Sequence, residues 1–165
     1  MKKSLVISEQ DEDRFWSRVD MLDPGGHWLW TGGINSSGYG RFCCNGNYLL
    51  AHRLSYRLSL GEFPDGNDID HQPTCPKACV RPDHLRSCTH KENAENRAGA
   101  QANNYTSAVR GVTWNKKNGK WQAQIKHHQK YYYIGLFSDL RDAEDAVIKK
   151  RNELFTHNDV DRIPR

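Results

Sequence analysis

The segment from Ile69 to Arg97 constrains the fold of this chain most strongly, because it joins strand-like stretches through a polar loop that cannot form an apolar core. In that loop Cys75, Cys79 and His84 follow one another with three and then four intervening residues. Thiolate and imidazole groups at such short spacing favour a tetrahedral zinc site, although two free cysteines beside a surface histidine would show the same pattern. A fourth ligand must come from outside the segment, and the candidates are His27, Cys43 and Cys44.

The same segment predicts a strand, a loop, a second strand and a helix. Ile69–His71 and Leu85–Cys88 are apolar stretches bounded by polar and proline-rich residues, as short strands are. The sequence Thr89-His90-Lys91-Glu92 is a capping box, so a helix should begin at about His90 and carry Asn93, Asn96 and Arg97 on adjoining turns.

A helix lying across this hairpin would face Asn93 toward Asp70 and His71. One carboxylate and one amide oxygen are the kind of ligands that a hard divalent cation requires. His71 beside them would then act as a base.

These motifs resemble the HNH, or His-Me finger, homing endonucleases of phages and mobile elements, in the branch with a structural zinc. The resemblance rests on Asp70-His71, Cys79-Val80-Arg81-Pro82-Asp83-His84-Leu85, Glu92-Asn93 and Arg97. It extends upstream through Trp28-Leu29-Trp30-Thr31-Gly32, Gly38-Tyr39-Gly40-Arg41-Phe42 and Ala51-His52-Arg53-Leu54-Ser55-Tyr56. In relatives a zinc-binding cysteine usually precedes the first tryptophan, and this chain has His27 there. His27 is therefore the first choice for the fourth ligand, with Cys43 as the alternative.

The resemblance implies a phosphodiesterase mechanism with named roles. His71 takes a proton from water, and a catalytic Mg²⁺ or Mn²⁺ ion is held by Asp70 and Asn93. Asp70 could instead only orient His71. Zinc is structural and bound by Cys75, Cys79, His84 and His27. Arg53 contacts a phosphate or is an ordinary surface arginine.

Composition agrees with small, metal-stabilised domains in a reducing environment. Only 36% of the 165 residues are hydrophobic and the mean hydropathy is −0.88, which is low for a large core. The five cysteines are an odd number, no signal peptide is evident, and no apolar run approaches the roughly 18 residues of a membrane span. We therefore expect an intracellular protein, in the cytoplasm of a bacterial or host cell, that does not bind membranes.

The distribution of charge indicates a polyanionic partner. The net charge is only +4, but no Asp or Glu occurs between Asn96 and Ser138. That stretch contains Arg97, Arg110, Lys116, Lys117, Lys120, Lys126 and Lys130. A solvated face without a partner would normally mix both signs, so the stretch predicts a surface for a polyanion.

Three further local patterns predict elements of the N-terminal half. Phe15, Trp16 and Val19 have helical spacing, which predicts a helix over Glu9–Asp20. Asn45-Gly46 predicts a hairpin of about 39–44 and 47–51. Ala51–Leu60 should be a helix ended by Gly61.

The C-terminal part predicts three strands and one helix. Val109–Trp114, Lys120–Lys126 and Tyr131–Phe137 are strand-like, Asn118-Gly119 is a hairpin signal, and a helix should begin at Asp139. The segment resembles the Apetala/ethylene-response-factor (AP2/ERF) type of DNA-binding domain, whose sheet enters the major groove. The resemblance implies DNA contacts by Arg110, Thr113, Lys116, Gln124, Lys126, Tyr131 and Tyr133.

The expected fold class is therefore α+β. We predict a ββα-metal nuclease domain with structural zinc (residues 1–98), a linker (99–106), a three-stranded antiparallel sheet with one helix (107–156) and a tail (157–165). The expected function is site-specific cleavage of duplex DNA, by a homodimer or by sequential nicking. Two alternatives remain open: a zinc-stabilised DNA-binding regulator without catalysis, and an RNA-binding module that stacks bases on Tyr131–Tyr133.

Overall fold

The computed structural model describes residues 7–61, 66–97, 99–100 and 104–163. The chain divides into two compact units, Met1–His90 and Lys91–Arg165. Each unit combines helices with a small antiparallel sheet or ribbon, so the predicted mixture of helices and antiparallel strands is confirmed. None of the helices in the described ranges has the length and apolar character that crossing a membrane would require.

The N-terminal unit consists of short elements joined by turns. In chain order they are α1 (Glu9–Trp16), β1 (Val19–Asp20), β2 (Leu29–Trp30), β3 (Arg41–Cys44), β4 (Asn47–Leu50), α2 (Ala51–Leu60), β5 (Asn67–His71) and β6 (Leu85–Thr89). The strands pair as three antiparallel ribbons, β1 with β2, β3 with β4 and β5 with β6. Helix α3 (His90–Glu95) follows β6 directly. The predicted order of strand, loop, strand and helix is therefore present.

The hairpin and the helix predicted around residue 50 are both confirmed. Asn45 and Gly46 have positive φ angles of 49° and 75°, the conformation that a two-residue hairpin turn requires. Helix α2 ends at Leu60, and Gly61 follows with φ 88°. This segment contributes Ala51 and Leu54 to a core with Phe15, Trp30 and Phe42. Two-stranded ribbons are marginal alone, so this core holds them together.

The predicted helix over Glu9–Asp20 is wrong at its C-terminal end. Helix α1 stops at Trp16, and Val19–Asp20 pairs instead with Leu29–Trp30. Phe15 is fully buried and its ring stacks on Trp30 with 5.1 Å between centroids. The pairing of β1 with β2 satisfies backbone groups that a longer helix would have satisfied internally. Helical spacing alone could not reveal that competing partner.

The C-terminal unit is a three-stranded sheet backed by a helix, as predicted. Its elements are β7 (Val112–Asn115), β8 (Lys120–His127), β9 (Lys130–Phe137), α4 (Leu140–Leu154) and α5 (Asp159–Arg162). The strand order is β7-β8-β9, all antiparallel. The core of the unit is formed by Val112, Ala123, Ile125, Ala143, Val147 and Phe155.

The first strand of this sheet begins at Val112 rather than at the predicted Val109. The Asn104 side chain donates hydrogen bonds to the carbonyls of Val109 (2.8 Å) and Val112 (2.9 Å), which turns the chain before the strand. Gly111 then has φ +87°, and a Cβ atom there would lie 2.9 Å from the Gln124 carbonyl oxygen. Glycine is required at this position for both reasons. The predicted linker residues 101–103 lie outside the described residues.

The ends of two predicted segments also differ from expectation. Helix α3 ends at Glu95, so Asn96 and Arg97 lie beyond it. The backbone N–H of Asn96 still donates a helix-like hydrogen bond to the Glu92 carbonyl. The predicted tail contains α5, whose Asp161 forms an ion pair with the buried Arg151 at 2.6 Å. The segment after α4 is therefore held against α4 within the C-terminal unit.

Candidate active site and metal centre

Strand β5 presents Asp70 and His71 on opposite faces. Its pairing with β6 sets Asp70 opposite Arg86 and His71 opposite Leu85. Because side chains alternate along a strand, Ile69 and His71 are buried and Asp70 is only half-buried. The Asp70 carboxylate therefore faces the partly exposed side of the ribbon, and the His71 imidazole faces the protein interior.

A backbone carbonyl fixes the tautomer of His71. Its Nε2 atom lies 2.9 Å from the carbonyl oxygen of Cys79. A carbonyl can only accept a hydrogen bond, so Nε2 carries the proton and Nδ1 keeps its lone pair. Burial lowers the pKa of His71 below its ordinary value, although the Cys79 hydrogen bond and the Asp70 charge oppose this shift. A neutral imidazole with a free Nδ1 can accept a proton.

Two aromatic residues that the sequence did not identify surround this histidine. The His52 ring lies 4.7 Å from the His71 ring between centroids, and the Tyr39 ring lies 5.9 Å away. His52 is 4% exposed, and burial lowers its pKa to about 3. Burial, and then the charge of Asp70, raise the pKa of Tyr39. Both residues fall within the motifs that carry the family resemblance, but only tertiary contact shows that they meet His71.

The remaining predicted catalytic residues have other immediate partners. Arg86 Nη2 lies 3.4 Å from a carboxylate oxygen of Asp70. Arg53 contacts Asp68 at 3.5 Å and the Asn67 carbonyl at 3.3 Å, so the structure gives it a carboxylate partner. Asn93 lies on α3, and all of this helix except His90 belongs to the C-terminal unit.

Four predicted zinc ligands converge on one point. The ligand atoms of His27, Cys75, Cys79 and His84 all lie within 4.8 Å of one another. The two histidine Nδ1 atoms are 3.2 Å apart. Cys75 Sγ is 3.6 Å from the His27 Nδ1 and 3.8 Å from that of His84, and Cys79 Sγ is 3.8 Å from the latter. This cluster, called the Cys2His2 cluster below, could hold a metal ion.

Local backbone pairing brings the distant ligand into this cluster. The Val80 N–H donates to the Trp28 carbonyl and the Trp30 N–H donates to the Ala78 carbonyl. This pairing places His27 beside the loop that carries Cys75 and Cys79. Neither of the other candidates for the fourth ligand belongs to the cluster: Cys43 lies on β3, and the Cys44 thiol donates to Asp11.

Arg81 donates hydrogen bonds to the cluster and to groups beside it. Its backbone N–H donates to Cys79 Sγ at 3.5 Å, and its guanidinium donates to the Gly26 carbonyl at 2.6 Å and to Asp83. Such outer contacts orient metal ligands. Burial raises the pKa of the Cys75 thiol, whereas a coordinated cation has the opposite effect and stabilises the thiolate.

In the C-terminal unit, the sheet places most of the predicted DNA contacts on the face opposite α4. Val112, Ala123 and Ile125 are buried on the helix side. The strand register and the alternation of side chains therefore place on the other side, called the open face below, the residues Thr113, Asn115, Gln122, Gln124, Lys126, Tyr131 and Tyr133. Lys116 is exposed in the turn between β7 and β8.

Arg110 has a different environment from the one predicted. Its guanidinium donates hydrogen bonds to the carbonyls of Ala94 (2.9 Å), Glu95 (2.8 Å) and Arg97 (3.0 Å). The first two carbonyls lie in the last turn of α3 and the third lies just after it, and cations stabilise a helix at this end. The structure therefore gives Arg110 a role in anchoring α3, and a DNA contact by this side chain stays a prediction.

Glu95 provides a second anchor for α3. Its carboxylate lies 2.7 Å from Lys91 Nζ and 3.3 Å from His127 Nε2. The same group accepts hydrogen bonds from the backbone and side chain of Thr156, both at 3.1 Å. Helix α3 is thereby joined to β8 and to the segment after α4.

Comparison with known proteins gives two matches. Residues 49–95, which include Asp70, His71, Cys75, Cys79, His84 and Asn93, match the family model for HNH endonuclease. The chain is also 41% identical over 66 residues to Protein 7.7 of Escherichia phage T7, an alignment that covers 40% of this chain and 50% of that protein.

The chain thus spans about half the length of the curated relative that it matches. No solved structure matches it significantly. The family model ends before β7, so the resemblance of residues 107–156 to the AP2/ERF type stays a prediction.

Proposed function

We propose that this chain is a DNA endonuclease of the HNH type that cleaves phosphodiester bonds in duplex DNA, with its N-terminal unit cutting and its C-terminal sheet holding the substrate. The observation that carries the proposal is the HNH match over residues 49–95. Within that match Asp70 and His71 lie at the end of β5, and the hydrogen bond to Cys79 leaves His71 Nδ1 available.

His71 is the proposed general base. Its neutral Nδ1 accepts a proton from the water that attacks phosphorus, and its Nε2–H stays bonded to the Cys79 carbonyl. The lowered pKa keeps the imidazole unprotonated at neutral pH, which is the state that a general base needs. The packed rings of Tyr39 and His52 limit rotation of the base.

Asp70 and Asn93 are the proposed ligands of a single Mg²⁺ or Mn²⁺ ion. A carboxylate and an amide oxygen fit a hard cation, and phosphate and water would complete its coordination. When bound, such an ion stabilises the charge that develops on the phosphate and on the leaving 3′ oxygen. Arg86 beside Asp70 holds the carboxylate in place.

Zinc is the proposed metal of the Cys2His2 cluster, in a structural role. Zinc bond lengths give tetrahedral edges of about 3.3 Å between two nitrogens and about 3.5 Å between nitrogen and sulfur. The observed separations of 3.2, 3.6, 3.8 and 3.8 Å are close to these values. Four protein ligands leave no open position for water, which is typical of a structural site.

Site specificity of the homing type is part of the proposal. The described part of the chain contains one such site, so cutting both strands would take either two copies or two successive nicks.

Incubation of the full chain with supercoiled plasmid DNA, with and without Mg²⁺, tests the proposed function. We expect nicked or linear plasmid only when Mg²⁺ is added and only with His71 intact. Plasmid that is bound but never cut at any concentration of Mg²⁺ or Mn²⁺ would indicate the alternative, a DNA-binding regulator.

A further inference from the structure

Three carboxamide side chains on the open face form a continuous hydrogen-bonded row. Asn115 Nδ2 donates to Gln122 Oε1 at 2.8 Å, and Gln122 Nε2 donates to Gln124 Oε1 at 3.2 Å. The row is anchored at the hairpin, where the Asn118 backbone N–H donates to Asn115 Oδ1 at 3.2 Å. We call Asn115, Gln122 and Gln124 the amide row. Every amide in it points the same way, with its oxygen toward the hairpin.

The row orders side chains that would otherwise rotate freely. A glutamine that is ordered on binding loses rotamer entropy at that moment. In the amide row this ordering takes place when the sheet folds, so a ligand meets an arrangement that is already fixed. The two glutamines, Gln122 and Gln124, are only half-buried, so the fixed groups remain within reach of a partner.

The internal bonds leave hydrogen-bonding capacity at the end of the row. A carboxamide oxygen has two lone pairs and its nitrogen has two hydrogens. Among the described residues, the Gln124 side chain accepts one bond, from Gln122, and donates none, so one lone pair and both N–H groups remain. An acceptor and a donor side by side are the groups that pair with N6 and N7 of adenine in the major groove.

The surroundings of the row fit a duplex polyanion. Tyr131 and Tyr133 lie opposite Lys126 and Gln124 in the register and are 65% and 62% exposed. The Lys126 ammonium lies 5.5 Å from the centroid of the Tyr131 ring. One cation, Lys126, therefore lies on the same face as the amides, two positions along the strand from Gln124, where it could meet a phosphate beside the bases.

We propose that the amide row reads an A·T base pair in the major groove of duplex DNA, with Gln124 contacting adenine and with Gln122 and Asn115 as positioning residues. This inference rests on the proposed function and adds to it the base that is recognised and two residues outside the predicted contact set. Gln124 touches the base. Gln122 acts through Gln124, and Asn115 acts through Gln122.

The test uses the full chain carrying His71→Ala, so that bound DNA is not consumed. A pool of duplexes randomised over 20 positions is selected on this protein, and base preferences are then read from the bound fraction. Gln124→Ala should reduce the preference for adenine at one position by on the order of 10-fold or more, the range of a lost bidentate contact. Gln122→Ala should reduce it at the same position by a smaller factor.

The matched control is Gln129→Gly. Gln129 is a glutamine outside the row, in the turn between β8 and β9, and its φ of 64° suits glycine. This variant should keep the preferences of the parent protein, and all variants should show the same circular dichroism spectrum. A purely structural role for Gln122 would lower the melting temperature without altering preference at one position.

Unchanged base preferences in both Gln124→Ala and Gln122→Ala would overturn the inference. So would selection of a preferred base other than adenine at the affected position, or preferential binding of a single-stranded pool. Plasmid cleavage by the wild-type chain is measured alongside: cleavage without any base preference removes the amide-row proposal and leaves the nuclease, whereas absence of cleavage removes the proposed function itself.

Discussion

At position 71, a backbone carbonyl decides which nitrogen of an imidazole can act as a base. The 2.9 Å contact between Nε2 and the Cys79 carbonyl leaves Nδ1 as the acceptor. Since Cys79 is also in the Cys2His2 cluster, one residue offers its sulfur to a metal and its carbonyl to the proposed base. The position of the proposed base therefore depends on whether the loop that carries Cys75 and Cys79 is ordered.

Replacing His71 with Ala should lower plasmid cleavage by about 10² to 10⁴, the range for loss of a general base. Folding and DNA binding should change little, because the proposed zinc ligands and the open face are other residues. His90→Ala is the control, since the side chain of His90 is 89% exposed. Cleavage rates and binding by gel shift measure the effect, and an unchanged rate in His71→Ala would contradict the assignment.

Local motifs predicted Asp70 and His71, but not the residues that surround them. Tyr39, His52 and Arg86 meet these two only through tertiary contacts between elements distant in sequence. The tertiary contacts of Arg110 could not be predicted from the sequence either. Its positive charge in an acid-free stretch indicated a DNA contact, whereas in the structure its guanidinium donates to two carbonyls of α3 and to the carbonyl of Arg97 just after it.

At the scale of elements, the loop between β5 and β6 contributes Val80 to the apolar core and is otherwise ordered by polar side chains and the Cys2His2 cluster. Cys75→Ser or Cys79→Ser should release zinc and cause loss of folded structure, because the loop between β5 and β6 has little else to order it. His27→Ala should do the same. Cys43→Ser should retain zinc, since Cys43 lies outside the cluster. Elemental analysis with circular dichroism measures both effects, and zinc-free folded protein would exclude the site.

The anchoring of α3 should depend on pH through Glu95. Burial alone raises the pKa of this carboxyl, but hydrogen bonds from Lys91 and Thr156 bring it below the ordinary value of 4.5. A carboxyl with a lowered folded pKa contributes stability above about pH 4.5 and loses it as the pH falls through the folded pKa.

Glu95→Gln should therefore destabilise the C-terminal unit by about 1–3 kcal/mol at pH 7, as expected for a disrupted buried hydrogen-bond network. The difference from wild type should shrink as the pH falls through the lowered pKa of Glu95, because both side chains are then uncharged. Thermal melting at pH 7 and at a pH below that pKa measures this. Lys150→Gln, whose Lys150–Glu153 pair is 36% and 48% exposed, is a control that should change stability little at either pH.

Elements were predictable where the signal was local. Asn45-Gly46 determines a turn by its own backbone preferences, and Asp139 caps α4 with its own side chain. The end of α1 was not predictable, because the partner of Val19–Asp20 is a strand ten residues further along. The anchoring of α3 by Glu95 and Arg110 likewise depends on residues that the sequence separates.

For the whole molecule, the acid-free basic stretch and the proposed catalytic base belong to different compact units. The acid-free stretch lies in Lys91–Arg165, and His71 lies in Met1–His90. A fragment of residues 91–165 should bind duplex DNA and leave it uncut. Its affinity should fall with salt by close to one unit of log K per log unit for each phosphate contact. Titration of a labelled duplex at two salt concentrations tests this, and a fragment that folds without binding would contradict it.

Within that fragment, Lys116→Ala should weaken binding to all duplexes alike and reduce the salt slope by about one unit. The side chain is exposed in a turn, where we expect it to meet phosphate rather than base edges. Arg110→Ala should instead lower the melting temperature, because its guanidinium is engaged by α3. A greater loss on one DNA sequence than on others for Lys116→Ala would assign it to base recognition.

His27 and His84 are 57 positions apart, so a cation bound between them closes a long segment of chain that is costly to close without it. If that cation is zinc, as proposed, copies made in a zinc-starved cell would leave the segment open to proteases. The sheet domain draws none of its core from the cluster and would survive such cleavage. Proteolysis would then yield a fragment that occupies DNA without cutting it, so that metal shortage would produce a competitor of the intact protein.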